Sequence, residues 1–230
     1  METTLHRQLK ERFGAPGEGR LEVALGGFRI DAVDRERRLV EVQSGALGPL
    51  RGKLARLLAE HQVRVVKPVV LERRIVRRAR LKAPDLSARR SPKRGAVIDV
   101  FDDLVGLVSI FPHPNLMIDV LSVAIDEIRV PRRRKRSPGY KVVDRQLRSL
   151  LGSSVLRDAD DLWSLLPADV ESPFTTIDLA EMLSRSIDFA QRVAYCLRLS
   201  GAARVVGKVG NRRIYMRSTA SARQILPPSG

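Results

Sequence analysis

Residues 63–71 form an almost continuous apolar run, rich in valine and of strand length. A strand without alternation must be covered on both faces, which places it inside a sheet with helices on either side. The preceding residues supply its partners. Leu5, Leu9 and Phe13 recur at helical spacing before Gly14, Pro16, Gly17 and Gly19 stop the helix. Residues 20–25, 28–34 and 38–44 alternate apolar and polar side chains, separated by Gly26-Gly27 and by the polar stretch 35–37. That is the pattern of a three-stranded antiparallel meander. After Gly48-Pro49, Leu50, Leu54, Leu57 and Leu58 mark one face of a helix that ends near His61. Helix, three strands, helix and buried strand predict an α/β fold, a central mixed sheet flanked by helices.

Beyond residue 71 the character changes. Between 73 and 94 there are ten basic residues, Arg73, Arg74, Arg77 and Arg78 among them, against the single acid Asp85. Pro84 and Pro92 break regular structure, so the segment, about 72–95, reads as a basic loop inserted in the fold. Residues 96–110 have helical spacing and stop at Pro112-His113-Pro114, and 116–130 alternate loosely, as a strand or hairpin does. A second basic run, Arg132, Arg133, Arg134, Lys135 and Arg136, lies between Pro131 and Pro138 and reads as a linker or long hairpin tip. With 42 Lys+Arg against 26 Asp+Glu the formal charge is +16. So large an excess, clustered in runs without aromatics, points to a polyanion held by its phosphates rather than read by its bases.

The last third is expected to be a separate small domain. Residues 161–166 make a helical turn or two, Thr175 or Thr176 can cap a helix over 177–183, and Ser186 or Asp188 another over 187–199, ended by Gly201. Two apolar strands then flank residues 207–213, with Gly210-Asn211 at the tip of a hairpin. Three helices and a hairpin predict a winged helix over about 150–217, followed by a flexible tail from 218 to 230. Acids dominate from 158 to 188 and bases beyond, which would turn the last helix and the wing toward DNA. Gln191, Arg192 and Tyr195 would approach a groove, and Lys208, Asn211, Arg212 and Arg213 the phosphates or the minor groove.

Chemistry in the first domain centres on Asp31, Glu41 and Gln43. A turn centred on Glu36 sets Asp31 opposite Glu41, and the two-residue period of a strand puts Glu41 and Gln43 on one face. Like charges facing each other destabilise a sheet unless a cation lies between them, and hard oxygen ligands favour Mg²⁺ or Mn²⁺. Gln43 would orient a water for in-line attack on a phosphoryl group.

These residues, with the opening helix, the meander and the helix and strand to residue 71, resemble the core of the PD-(D/E)xK nuclease superfamily. Within it the likeness is to Holliday-junction-resolvase-like and restriction-endonuclease-like members. The resemblance covers residues 1–71 and implies a restriction-endonuclease-like domain, extending to about 140, that hydrolyses DNA phosphodiesters with a divalent metal. By position Asp31 and Glu41 would be the metal carboxylates, Glu11 an additional acid, and Gln43 would take the place of the usual lysine. Some members resemble this chain in carrying glutamine there, and in others a neighbouring helix supplies the lysine, here Lys53. The alternative is a DNA-binding protein without catalysis that retains a degenerate nuclease fold.

Other groups are given structural roles. Asp99 and Asp103 fall on one solvent-facing side of a helix, His6 and His61 are isolated, Cys196 is a core thiol, and Trp163 anchors the C-terminal domain. A single cysteine and the lack of a long apolar segment or signal core fit a reducing compartment, most simply the cytoplasm, with no membrane partner. A homodimer is left open.

Overall fold

The structure, a computed structural model, describes residues 2–14, 21–132 and 139–218. The first helix, α1 (Thr4–Phe13), starts where the Thr3 hydroxyl accepts from the His6 N–H, and buries Leu5 and Leu9. It ends at Gly14, where a β-carbon would stand 2.7 Å from the Ala32 side chain, so only glycine lets helix and sheet meet there.

Strands β1 (Leu21–Leu25), β2 (Phe28–Val33) and β3 (Leu39–Val42) form the expected antiparallel meander. The β2–β3 turn is built by Asp34, whose Oδ1 accepts from the backbone N–H groups of Glu36 and Arg38 at 3.0 and 2.9 Å while Oδ2 takes Arg38 Nε at 2.8 Å. This local cap sets the register: Val33 faces Leu39 and Ala32 faces Val40. Helix α2 (Arg51–Leu57) then returns the chain to β4 (Val63–Arg78), which is parallel to β3.

The sheet runs in the order β1-β2-β3-β4-β6-β7. β6 (Leu116–Pro131) is parallel to β4, and β7 (Tyr140–Leu156) is antiparallel to β6. The molecule is thus α/β, with a mixed sheet flanked by helices, as the sequence predicts. The sheet does not stop near residue 140, however: β7 pairs with β6 along its length, carrying this unit to about residue 156.

The basic segment 72–95 is also corrected. It is no loop, because β4 continues to Arg78 and folds back as β5 (Asp85–Arg90). Pro84 and Pro92 flank β5 instead of interrupting it, as their missing N–H demands. The distal parts of β4, β6 and β7, with β5 on the edge, form a long arm beyond the meander. Residues 96–110 are helical only in pieces, with α3 (Phe101–Leu104) between two 3-10 turns.

The C-terminal part has a 3-10 segment (Asp160–Leu165), helices α4 (Thr176–Met182) and α5 (Ile187–Leu199), and a two-stranded sheet of β8 (Ala203–Val209) and β9 (Arg212–Arg217). Trp163 is the anchor expected of it: its indole N–H donates to the Ala202 carbonyl at 2.9 Å. The two units share one hydrophobic core. Leu104, Phe101 and Val108 lie in the same buried cluster as Phe189, Val193 and Leu197, and α3 packs directly on α5. A smaller cluster under α1, with Leu5, Leu9, Val42, Val66 and Val123, fills the other face of the sheet. No helix among the described residues is long and apolar enough to cross a membrane.

Candidate functional site

The mouth of the site lies where β2 and β3 part. The β2–β3 pairing ends at Ala32–Val40, and Asp31 and Glu41 are the next residue of each strand, close enough that each charge acts on the other. The Asp31 side chain continues the ladder there, with Oδ2 accepting from the Val42 N–H at 2.8 Å. Its other oxygen meets His6 Nε2, on the first turn of α1, at 3.3 Å. Burial raises the Asp31 pKa, but the His6 and Val42 hydrogen bonds, with the charge of Lys10, outweigh it and hold the carboxyl below its ordinary range.

Glu41 is 4% exposed and takes the opposite direction. Burial pushes its pKa up, Lys53 offsets part of the shift, and the neighbouring Asp31 adds to it. Lys53 projects from α2, its Nζ 2.5 Å from Glu41 Oε1 and 2.5 Å from the Arg29 carbonyl. One neighbourhood thus drives the two carboxyl groups in opposite directions. Gln43 continues β3, its backbone N–H on the Val66 carbonyl and its amide nitrogen on the Ala46 carbonyl at 2.8 Å.

A cleft of about 440 Å³ opens over Asp31 and Gln43, walled by the first turns of α1 and by Glu22 and Arg29. Lys10 crosses it, 2.7 Å from Glu2 and 2.8 Å from Glu22. Glu11 is not in this cleft. It lies on the exposed side of α1 beside Arg7, and Glu2 is the helix-side acid that lines the site. His6, which stands alone in the sequence, is brought to Asp31 by the rise of α1. One turn separates it from Glu2 and Lys10, a spacing that would have shown the three to share a face.

Much of the anticipated basic surface is already paired. Arg73 meets Glu127, Arg74 meets Asp126, and Arg78 meets Asp85. Asp85 was in the sequence count, but Glu127 and Asp126 were missed because β6 brings them from about fifty residues away. Arg77 is exposed, and no ion pair of it is found among the described residues; Arg132 is exposed; Arg133 and Arg134, like the tail beyond 218, lie outside the described residues.

In the C-terminal unit Gln191 and Tyr195 are exposed on α5, and Lys208, Asn211, Arg212 and Arg213 on the hairpin. Arg192, on the same helix, has its Nε 2.6 Å from Asp102 of α3. Asp99 and Asp103 do not merely face solvent. Asp99 accepts from the Ala96 N–H and pairs with Arg185, and Asp103 pairs with the buried Lys67.

Residues 3–157 match the model of a family described as a domain of unknown function (DUF8091), and the chain belongs to that family. The chain is also 31% identical over 229 residues to an uncharacterized protein of Treponema pallidum (strain Nichols), covering 99% of this chain and 90% of that protein. No solved structure matches it.

Proposed function

We propose that this protein is a metal-dependent DNA endonuclease of the PD-(D/E)xK type, with its C-terminal unit acting as a winged helix that directs it to DNA. The observation that carries the reading is the meeting of Asp31, Glu41 and Lys53 where β2 and β3 part. It is supported by the helix, meander, helix and parallel strand around them, and by the charge of +16.

The donor set suits a hard divalent cation. Mg²⁺ is held by one or two carboxylates together with water and substrate phosphate oxygens, so Asp31 and Glu41 suffice. A larger cage is not required, and no cluster of three or more His, Cys, Asp or Glu suited to a metal is found among the described residues. When bound, the ion would polarise a phosphoryl oxygen and make its water more acidic.

The protein's own groups do the rest. His6 keeps Asp31 ionised, and Lys53 keeps anionic Glu41 tolerable in a buried position. Held by the Arg29 carbonyl, the Lys53 ammonium is the cation that the Gln43 position lacks. Gln43 donates to Ala46, which leaves its amide oxygen to accept from an attacking water.

A second reading, a DNA-binding protein without catalysis, is favoured by one contact: Lys53 already neutralises Glu41 directly. The two separate in a cleavage assay with Mg²⁺ or Mn²⁺ on duplex, flapped and four-way DNA. The nuclease cuts at least one of these, and Glu41→Ala abolishes cutting while binding is retained. Binding without cutting by the wild type, with either ion, leaves only the second reading.

A further inference from the structure

On the arm, three guanidinium groups converge on one buried carboxylate. Glu127, 2% exposed, is paired with Arg129 at 2.6 Å, Arg73 at 3.3 Å and Arg145 at 3.7 Å. The ladder explains the convergence: Glu127 is directly opposite Arg145 on β7, and Arg73 and Arg129 lie two residues along on the same face. Arg129 is further held over the Tyr140 ring at 4.0 Å. One carboxylate cannot satisfy three cations. The cluster keeps a net charge of +2, and the Nε groups of Arg73 and Arg145 are enclosed without a hydrogen-bond partner. The reverse face is weaker in charge, with Arg74 and Arg148 on Asp126 leaving +1.

The faces also differ in what they adjoin. Register alternation puts Glu127 on the side of Val123 and Ile125, which pack with α1, the helix whose first turns wall the cleft at Asp31. The cleft wall, α1 and the arginine cluster therefore share one face of the sheet.

We infer that Arg73, Arg129 and Arg145, aligned by Glu127, are a phosphate clamp that lays a DNA backbone along the α1 face of the arm. This rests on the DNA reading above but not on catalysis. Glu127 is a positioning residue: it spends part of the arginine charge to hold three flexible side chains in one geometry, so that little freedom is lost when phosphates arrive. Guanidinium forks suit phosphate, and the surplus charge supplies the attraction.

The test uses the full chain, a labelled duplex and a chelator, so that binding is read without cutting. The double variant Arg129→Gln/Arg145→Gln retains Arg73 as the partner of Glu127. It is expected to flatten the slope of log affinity against log salt by about two units, at ~0.9 per phosphate contact. Arg74→Gln/Arg148→Gln on the reverse face should leave the slope near the wild-type value. An unchanged slope in the first variant, or an equal loss from both, overturns the clamp. Because the first variant could misfold, arginine-selective dicarbonyl labelling of the wild type gives an independent reading. Bound DNA should protect Arg129 and Arg145 and leave Arg148 reactive; equal labelling with and without DNA overturns the proposal. Wild type that binds no DNA removes this inference and the DNA reading together, whereas wild type that binds without cutting removes only the nuclease.

Discussion

Lys67 Nζ lies 2.7 Å from Asp103 Oδ2 and 2.7 Å from the Gly45 carbonyl, with the lysine only 2% exposed. Three segments thus meet on one ammonium: the interior strand β4, the loop that follows Gln43, and α3.

Replacing that ammonium by a thioether of similar length should be costly. Lys67→Met leaves the Asp103 carboxylate and the Gly45 carbonyl without their donor, and removal of one partner from a buried ion pair costs about 3 kcal/mol. Urea unfolding of variant and wild type measures it. A loss well under about 1 kcal/mol would mean that water replaces the ammonium freely.

Glu41 should leave a signature in stability against pH. Burial raises its pKa above the ordinary 4.5, with Lys53 offsetting part and Asp31 adding to the rise. A carboxyl that binds its proton more tightly when folded destabilises the fold while ionised. That penalty is full above the folded pKa, shrinks as pH falls through it, and is gone below 4.5. Asp31, shifted downward, loses stability as pH falls, but does so in both proteins being compared. The melting temperature of Glu41→Gln minus that of wild type is therefore expected to be more positive near pH ~8 than near pH ~4. A difference that is flat or of opposite slope contradicts the buried-anion account.

Cys196 should be silent toward thiol reagents in the native protein. It is fully buried on α5, against the Phe101 carbonyl, and burial, with Asp102 adding, pushes its pKa up to about 12. Only the thiolate attacks disulfide reagents, so labelling at mildly alkaline pH is expected to follow the rate of unfolding. Rapid labelling without denaturant would show that α3 and α5 separate readily.

Truncation after residue 157, where the family match ends, should not yield a stable domain. The cut removes Phe189, Val193 and Leu197 from the core they share with Phe101 and Leu104. Exposed apolar surface of this kind binds hydrophobic dyes and favours aggregation. A truncated chain with wild-type melting behaviour would make the shared core dispensable.

Where local signals carried the structure, the sequence was readable. The glycine pair at 26 and 27, the polar turn around Glu36 and the almost continuous apolar run at 63–71 lead to the meander, its register and its interior neighbour, and hence to Asp31 and Glu41 as neighbours where β2 and β3 part. Lys53 beside Glu41 was also within reach, because α2 must return across the face that Glu41 occupies. Long-range pairing was not readable. That Glu127 and Asp126 would answer Arg73 and Arg74 depends on a parallel register between β4 and β6, which no short window contains. The length of β7 escaped for a related reason: its Arg, Ser and Gly residues face solvent on an edge strand and lack the apolar alternation that marks a strand. The Arg192–Asp102 pair was not readable either, because a charged residue on an exposed helix looks the same in sequence whether or not it faces an acid ninety residues away.

The seam between α3 and α5 also sets a dimension. With Arg185 on Asp99, Arg192 on Asp102 and Cys196 beneath Phe101, the helix that carries Gln191 and Tyr195 is held against the unit that carries the Asp31 cleft. The shared core thus fixes the spacing between these two surfaces. Under the DNA reading, a nucleic acid touching both would have to fit that spacing, so choice among targets would follow their shape.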